Sequence, residues 1–169
     1  KSVDDIFELY IDKERSLSRA NRELKKEIQS RNKTEVLLKQ SEARFRSAVM
    51  NSPYPIMLHA EGGEVLLVNE SWTDISGYSQ EEVPTIEAWT KAAYRENAQR
   101  ISEVISKLFQ REGAIEEGQF DIYTKKGQIR NWYFSSAPLP KLPDGRRMVM
   151  SMAMDITELR KAEAALRKS

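Results

Sequence analysis

Met148-Val149-Met150-Ser151-Met152-Ala153-Met154-Asp155-Ile156-Thr157-Glu158 alternates over eight residues and then changes character. A period of two puts Met148, Met150, Met152 and Met154 on one side of a strand, with Val149, Ser151, Ala153 and Asp155 on the other. Methionine suits adaptable apolar surfaces, and ordinary core packing is the competing reading of that side. Thr157 can cap a following helix, with Glu158 near its positive end.

Two more strands precede this one, at about 115–125 and 129–139. Lys125-Lys126-Gly127 joins them, and a longer loop with Pro140, Pro143, Asp144 and Gly145 leads on to 147–155. Upstream, Pro55–Ala60 and Glu64–Asn69 read as short strands around a Glu61-Gly62-Gly63 turn. Between the strand groups lie predicted helices at Ser71–Gly77, Ser79–Val83, Ile86–Tyr94 and Asn97–Arg111. Asn69 can cap the first, and Ser79 the second, with Glu81 and Glu82 in its first turn before Pro84 interrupts. The last is amphipathic, with Ile101, Val104, Ile105 and Leu108 on one face. Two strands, several helices and a three-stranded meander make an α+β fold, one sheet packed by helices on a single face.

Composition removes several function classes. The 169 residues carry a net charge of +1 with 31% charged residues, so no basic excess marks a nucleic-acid surface. With no cysteine there is no disulfide, thiolate metal site, cysteine nucleophile or cysteine-linked chromophore. One histidine cannot make a histidine metal cluster. No apolar run reaches the roughly 18 residues needed to span a bilayer. The expectation is a cytoplasmic piece of a larger protein, with no direct membrane insertion.

Residues 1–50 contain no Gly or Pro, and their apolar residues follow a heptad. One seam position reads Tyr10, Leu17, Leu24, Arg31, Leu38, Phe45; its partner reads Phe7, Glu14, Asn21, Ile28, Glu35, Glu42, Val49. Taking the leucine set as d places Asn21 at an a position, where a buried amide favours two parallel strands at a cost in stability. Arg31, Glu35 and Glu42 weaken the second half, while Val36 and Leu37 offer a second apolar face. Such a helix would be about 70 Å long and cannot bury its own stripe. A partner helix through Leu17, Asn21, Leu24, Ile28, Leu38 and Phe45 is expected; a single helix folded back on its own domain is the alternative. Ser52-Pro53 ends it.

The last nine residues, Lys161–Ser169, echo Lys33–Ser41 at Lys, Glu, Leu and Ser. Shared composition of charged helices is one explanation, and a repeated connector flanking a globular unit is the other.

The residues between the copies resemble a PAS domain, over about 42–160. Carrying the resemblance are Ser41-Glu42-Ala43-Arg44-Phe45-Arg46 leading to Asn51-Ser52-Pro53, Val68-Asn69, and Gly77-Tyr78-Ser79-Gln80-Glu81-Glu82. Trp89 and the terminal Asp155-Ile156-Thr157-Glu158 complete it. The resemblance implies a five-stranded antiparallel sheet and three segments: a coiled-coil helix at 1–50, the PAS domain at 51–157 and an exit helix at 158–169. It further implies that Asp155 and Thr157 couple the core to the exit helix.

Counting back from Asp155 by the same resemblance, Val149, Ser151 and Ala153 face the family's ligand cavity, as do Phe120, Ile122, Trp132, Phe134 and Ser136. A photosensory flavin site is not expected: the reactive cysteine is missing, Ala153 stands where an amide is needed, and Ile122 and Trp132 replace polar positions. Haem usually takes a histidine on the long helix, whereas His59 is on the first strand and reads as structural or surface. Trp132 and Phe134 could fill the cavity, so no cofactor is expected; a noncovalent flavin or small metabolite is the alternative. Glu116, Glu117 and Asp121 read as a solvated strand edge with no group fixed opposite them, so no catalytic residue is assigned.

The function expected is a sensory, relay and dimerisation module of a signalling protein, with output from a kinase or cyclic-dinucleotide enzyme in an adjacent domain. The rivals are a ligand-free dimerisation spacer and a cofactor-loaded sensor.

Overall fold

The computed structural model describes residues 1–169, which divide into two units, Lys1–Arg46 and Ser47–Ser169.

The first unit is helical from Val3 onward, in a helix (α1) that runs Val3–Met50. Ser2 and Asp5 start it by exchanging bonds: Asp5 N–H donates to Ser2 Oγ at 3.2 Å and Ser2 N–H to Asp5 Oδ2 at 3.0 Å. Glu27–Arg31 and Glu35–Lys39 ion pairs, at 2.8 and 3.0 Å, support the middle turns. No residue of Lys1–Arg46 is buried; Leu24 is 55% exposed.

In the second unit five strands form one antiparallel sheet ordered β2-β1-β5-β4-β3. The strands are β1 Ile56–Ala60, β2 Val65–Val68, β3 Ile115–Tyr123, β4 Ile129–Leu139 and β5 Met148–Asp155. Three helices cover one face: α2 Glu70–Ser76, α3 Ile86–Tyr94 and α4 Ala98–Ser106, with 3₁₀ turns at Arg95–Asn97 and Lys107–Gln110. α5, Thr157–Lys168, leaves from the end of β5. No helix is long and apolar enough to cross a membrane.

Asn69 does more than cap α2. Its Oδ1 accepts from Trp72 N–H and Ile56 N–H, while its Nδ2 donates to the carbonyls of Val49 and Tyr54. One buried amide thus holds the end of α1, the start of β1 and the start of α2, with its hydrogen-bonding capacity used in full. Gly77 closes α2 at φ 83°, where an added Cβ would lie 2.9 Å from Lys125 Cβ.

The two sides of β5 separate as the alternation requires. Val149, Ser151 and Ala153 are buried toward the helices. Met150 and Met152 pack on the opposite face with Val49, Ile56 and Leu58.

Three expectations need correction. Ser79–Val83 is a single turn rather than a helix, with Val83 N–H bonded to Ser79 O. Pro84 forces Val83 out of helical geometry, and Val65 N–H then takes the Pro84 carbonyl as Glu64 bridges Thr85. The helix expected at Asn97–Arg111 is α only over Ala98–Ser106 and finishes as a 3₁₀ turn. That change of pitch rotates Phe109 into the core beside Leu108, while Val104 is left 37% exposed. Glu117 does not sit on a solvated edge. A bulge between Glu116 and Gly118 sets two residues against one on β4 and turns Glu117 toward the helices.

Candidate functional site: the inner face and the exit junction

The inner face of the sheet is filled by aromatic rings. Trp72 from α2 lies 4.6 Å from Trp89 of α3 and 5.1 Å from Trp132 of β4, centroid to centroid. All three tryptophans of the chain therefore form one cluster, each about 1% exposed or less. Phe134 and Phe120 extend it at 5.8 and 5.9 Å spacings, and Tyr94 meets Phe120 at 6.5 Å. Edge and tilted contacts of this kind add to the area term.

The space left inside is about 20 Å³, room for one water. Of the eight residues expected to face a cavity, Phe120, Phe134 and Ser151 border this remnant. Ile122, Trp132 and Ala153 are packed into the core, and Val149 packs with Leu108 and Phe109. Ser136 lies beside Ser151. A flavin or haem does not fit these residues: Ala153 offers no polar atom, Trp132 and Trp72 occupy the centre, and the one imidazole is committed to a serine.

That imidazole, His59, is 1% exposed. Its Nε2 is 3.0 Å from Ser151 Oγ, and its ring meets Phe109 edge-on at 5.5 Å. Burial lowers its pKa from 6.5 to about 4, so the ring is neutral. Ser151 Oγ is 2.8 Å from Ser136 Oγ, which donates to Glu117 Oε2 at 2.5 Å. Burial pushes the Glu117 carboxyl up, against the opposing effect of the Ser136 bond. The Tyr94 hydroxyl is raised as well, by its own burial first and the Glu117 charge second. Sequence reading missed Glu117 and Trp72 as inner-face residues; a bulge has no signature in alternation, and α2's short turn hid which face Trp72 presents.

At the other end of β4 and β5 lies the exit junction. Asp155 Oδ1 accepts from Thr157 N–H at 3.0 Å and from the Thr157 hydroxyl. Thr157 Oγ1 in turn accepts from Asn131 N–H at 2.9 Å, and Ile156 N–H donates to Asn131 O. Thr157 is thus not the cap expected from the sequence. It is the first residue of α5, and Asp155 satisfies its amide while its hydroxyl ties the helix to β4. Arg130 reaches Asp155 at 3.5 Å, a weak, partly exposed pair.

A wider open cleft of about 890 Å³ lies between the Glu61–Gly63 turn, α3 and α4. Its polar side chains are paired mostly with one another: Thr90 with Ser102, Lys91 with Glu87, Arg147 with Glu61. No group of three acidic or histidine side chains is placed to hold a metal.

The family model described as PAS fold matches residues 65–153. No curated protein matches the sequence. Among solved structures, the PAS domain of an HTR-like protein from Haloarcula marismortui is 17% identical with a TM-score of 0.58. That match covers 74% of this chain and 99% of the other. The PAS domain of BvgS from Bordetella pertussis is 20% identical with a TM-score of 0.55, covering 76% and 98%. A domain of a sensory box sensor histidine kinase/response regulator from Geobacter sulfurreducens is 20% identical with a TM-score of 0.54, covering 70% and 96%. A five-stranded sheet in the order β2-β1-β5-β4-β3 and a family match across more than half its length lead to one conclusion: this chain belongs to the PAS family.

Proposed function

We propose that this chain is a sensory or relay and dimerisation module of a cytoplasmic signal-transduction protein, joined to a kinase or cyclic-dinucleotide output in an adjacent domain. The observation that carries the relay is the junction of Asp155, Thr157 and Asn131, because it binds the first turn of α5 to the backbone of the sheet. A shift between β4 and β5 must either break those bonds or move the helix. A domain of a sensory box sensor histidine kinase/response regulator, which shares the fold, supports the reading. Dimerisation is supported by the exposed seam of Leu17, Asn21, Leu24, Ile28, Leu38 and Phe45, an apolar stripe that one helix cannot cover.

The filled core favours relay over capture of a ligand. It also favours a second reading, a spacer that dimerises and senses nothing. Because the chain has no cysteine, a single cysteine at Leu166, which is 74% exposed, carries a spin label without side reactions. A relay changes the label-to-label distance between the two copies when the core is perturbed by Phe134→Leu, and loses that response when Asp155→Ala is added. An unchanged distance in Phe134→Leu supports the spacer.

A further inference from the structure

Four polar side chains cross the sheet's otherwise apolar inner face, one from each of β1, β5, β4 and β3. They are His59, Ser151, Ser136 and Glu117, joined at 3.0, 2.8 and 2.5 Å. Each serine hydroxyl has a single proton to donate, so the direction of one bond fixes its neighbours. With Glu117 ionised, Ser136 must donate to the carboxylate and therefore accepts from Ser151. Ser151, its proton committed, accepts from His59, which requires the proton on Nε2. His59 Nδ1 is then a bare acceptor, and it is one of three buried polar side-chain atoms with no partner.

We propose that this line is a proton-binding site: when Glu117 takes up a proton the three bonds reverse, and His59 changes from the Nε2–H to the Nδ1–H tautomer. The proton comes from solvent and adds to Glu117 Oε2, which then donates to Ser136. Ser136 turns its hydroxyl to Ser151, and Ser151 turns to the Nε2 lone pair. The imidazole releases its Nε2 proton to solvent and takes one from solvent at Nδ1, so the line as a whole gains a single proton, the one on Glu117 Oε2.

The surroundings favour neutral forms at both ends. Only His59, Tyr94 and Glu117 titrate among the side chains around the small cavity, and no Lys or Arg lines it. A carboxylate there has only Ser136 to compensate it, and burial raises its pKa. The inference names the proton as a stimulus for the sensory reading but does not depend on the exit junction, so either can fail alone.

The chain has one histidine, so the imidazole nitrogen signals of the uniformly ¹³C,¹⁵N-labelled protein belong to His59 without assignment. Spectra taken from about pH 8 down to about pH 5 keep the ring neutral, above its lowered pKa. The expected result is an Nε2–H pattern at the alkaline end that passes to Nδ1–H with the midpoint of the Glu117 carboxyl carbon. Glu117→Gln, an amide donor in place of the protonated acid, is expected to hold Nδ1–H at every pH. Ser136→Ala keeps the carboxylate but cuts the line, and should remove the pH dependence of the tautomer. A ring that keeps one tautomer while Glu117 titrates would overturn the proposal, and so would a Ser136→Ala variant that switches as the parent does.

Discussion

The α1 stripe and the tryptophan core treat their apolar residues in opposite ways. Around Trp72, Trp89 and Trp132 the chain supplies both sides of every contact, and the three rings are almost fully buried. Along Lys1–Arg46 it supplies one side only: Leu17, Leu24 and Leu38 each remain more than half exposed. The first region covers its own apolar residues, whereas the second leaves an apolar face exposed along one helix, the face proposed above as a dimer seam. A mutation should therefore register in one region as a change of melting and in the other as a change of association.

The sharpest way to test that division is Trp132→Ala, which opens the centre of the core. It is expected to cost ~3–5 kcal/mol, read as a lower urea midpoint with loss of near-ultraviolet dichroism. Leu24→Ala should do the reverse. It is expected to raise the dimer dissociation constant at least about a hundredfold, measured by sedimentation, while the core's midpoint stays put.

Acid should act on the core alone. A neutral His59 contributes fully above its unfolded pKa of 6.5, and that contribution is lost as pH falls toward about 4. At about 1.4 kcal/mol per unit, the loss between pH 7 and pH 5 is about 2 kcal/mol. Glu117 works the other way: its ionised form is penalised by burial, so protonation below its raised pKa relieves the fold. His59→Gln is expected to flatten or invert the fall in urea midpoint across that range. At the small end, Arg130→Gln removes a partly exposed 3.5 Å pair and should change stability by less than about 1 kcal/mol.

Much of the architecture could be read from period and punctuation. Ile86–Tyr94 and Ile129–Leu139 have the bounds their patterns imply, and the β5 alternation correctly separated its methionines from Val149, Ser151 and Ala153. What escaped was set by tertiary geometry. Glu117 lies inside because of a bulge, which shifts parity without changing composition. The Ser79–Val83 turn has the residues of a helix start but no room to continue before Pro84 is drawn into pairing with β2. Thr157 has the chemistry of a cap, yet Asp155 does that work because the strand ends one residue too close to the helix for Thr157 to stand outside it. The His59–Glu117 line joins residues up to 92 positions apart, and no local pattern reports such a meeting.

The most direct test of the division between a self-sufficient core and a helix that needs a partner is the solution mass of the whole chain, measured across micromolar concentrations. A species of twice the 19.5 kDa chain mass is expected, reverting to a monomer with an intact core when Leu17 and Leu24 are both changed to alanine. A monomer at high micromolar concentration in the unaltered chain would contradict it.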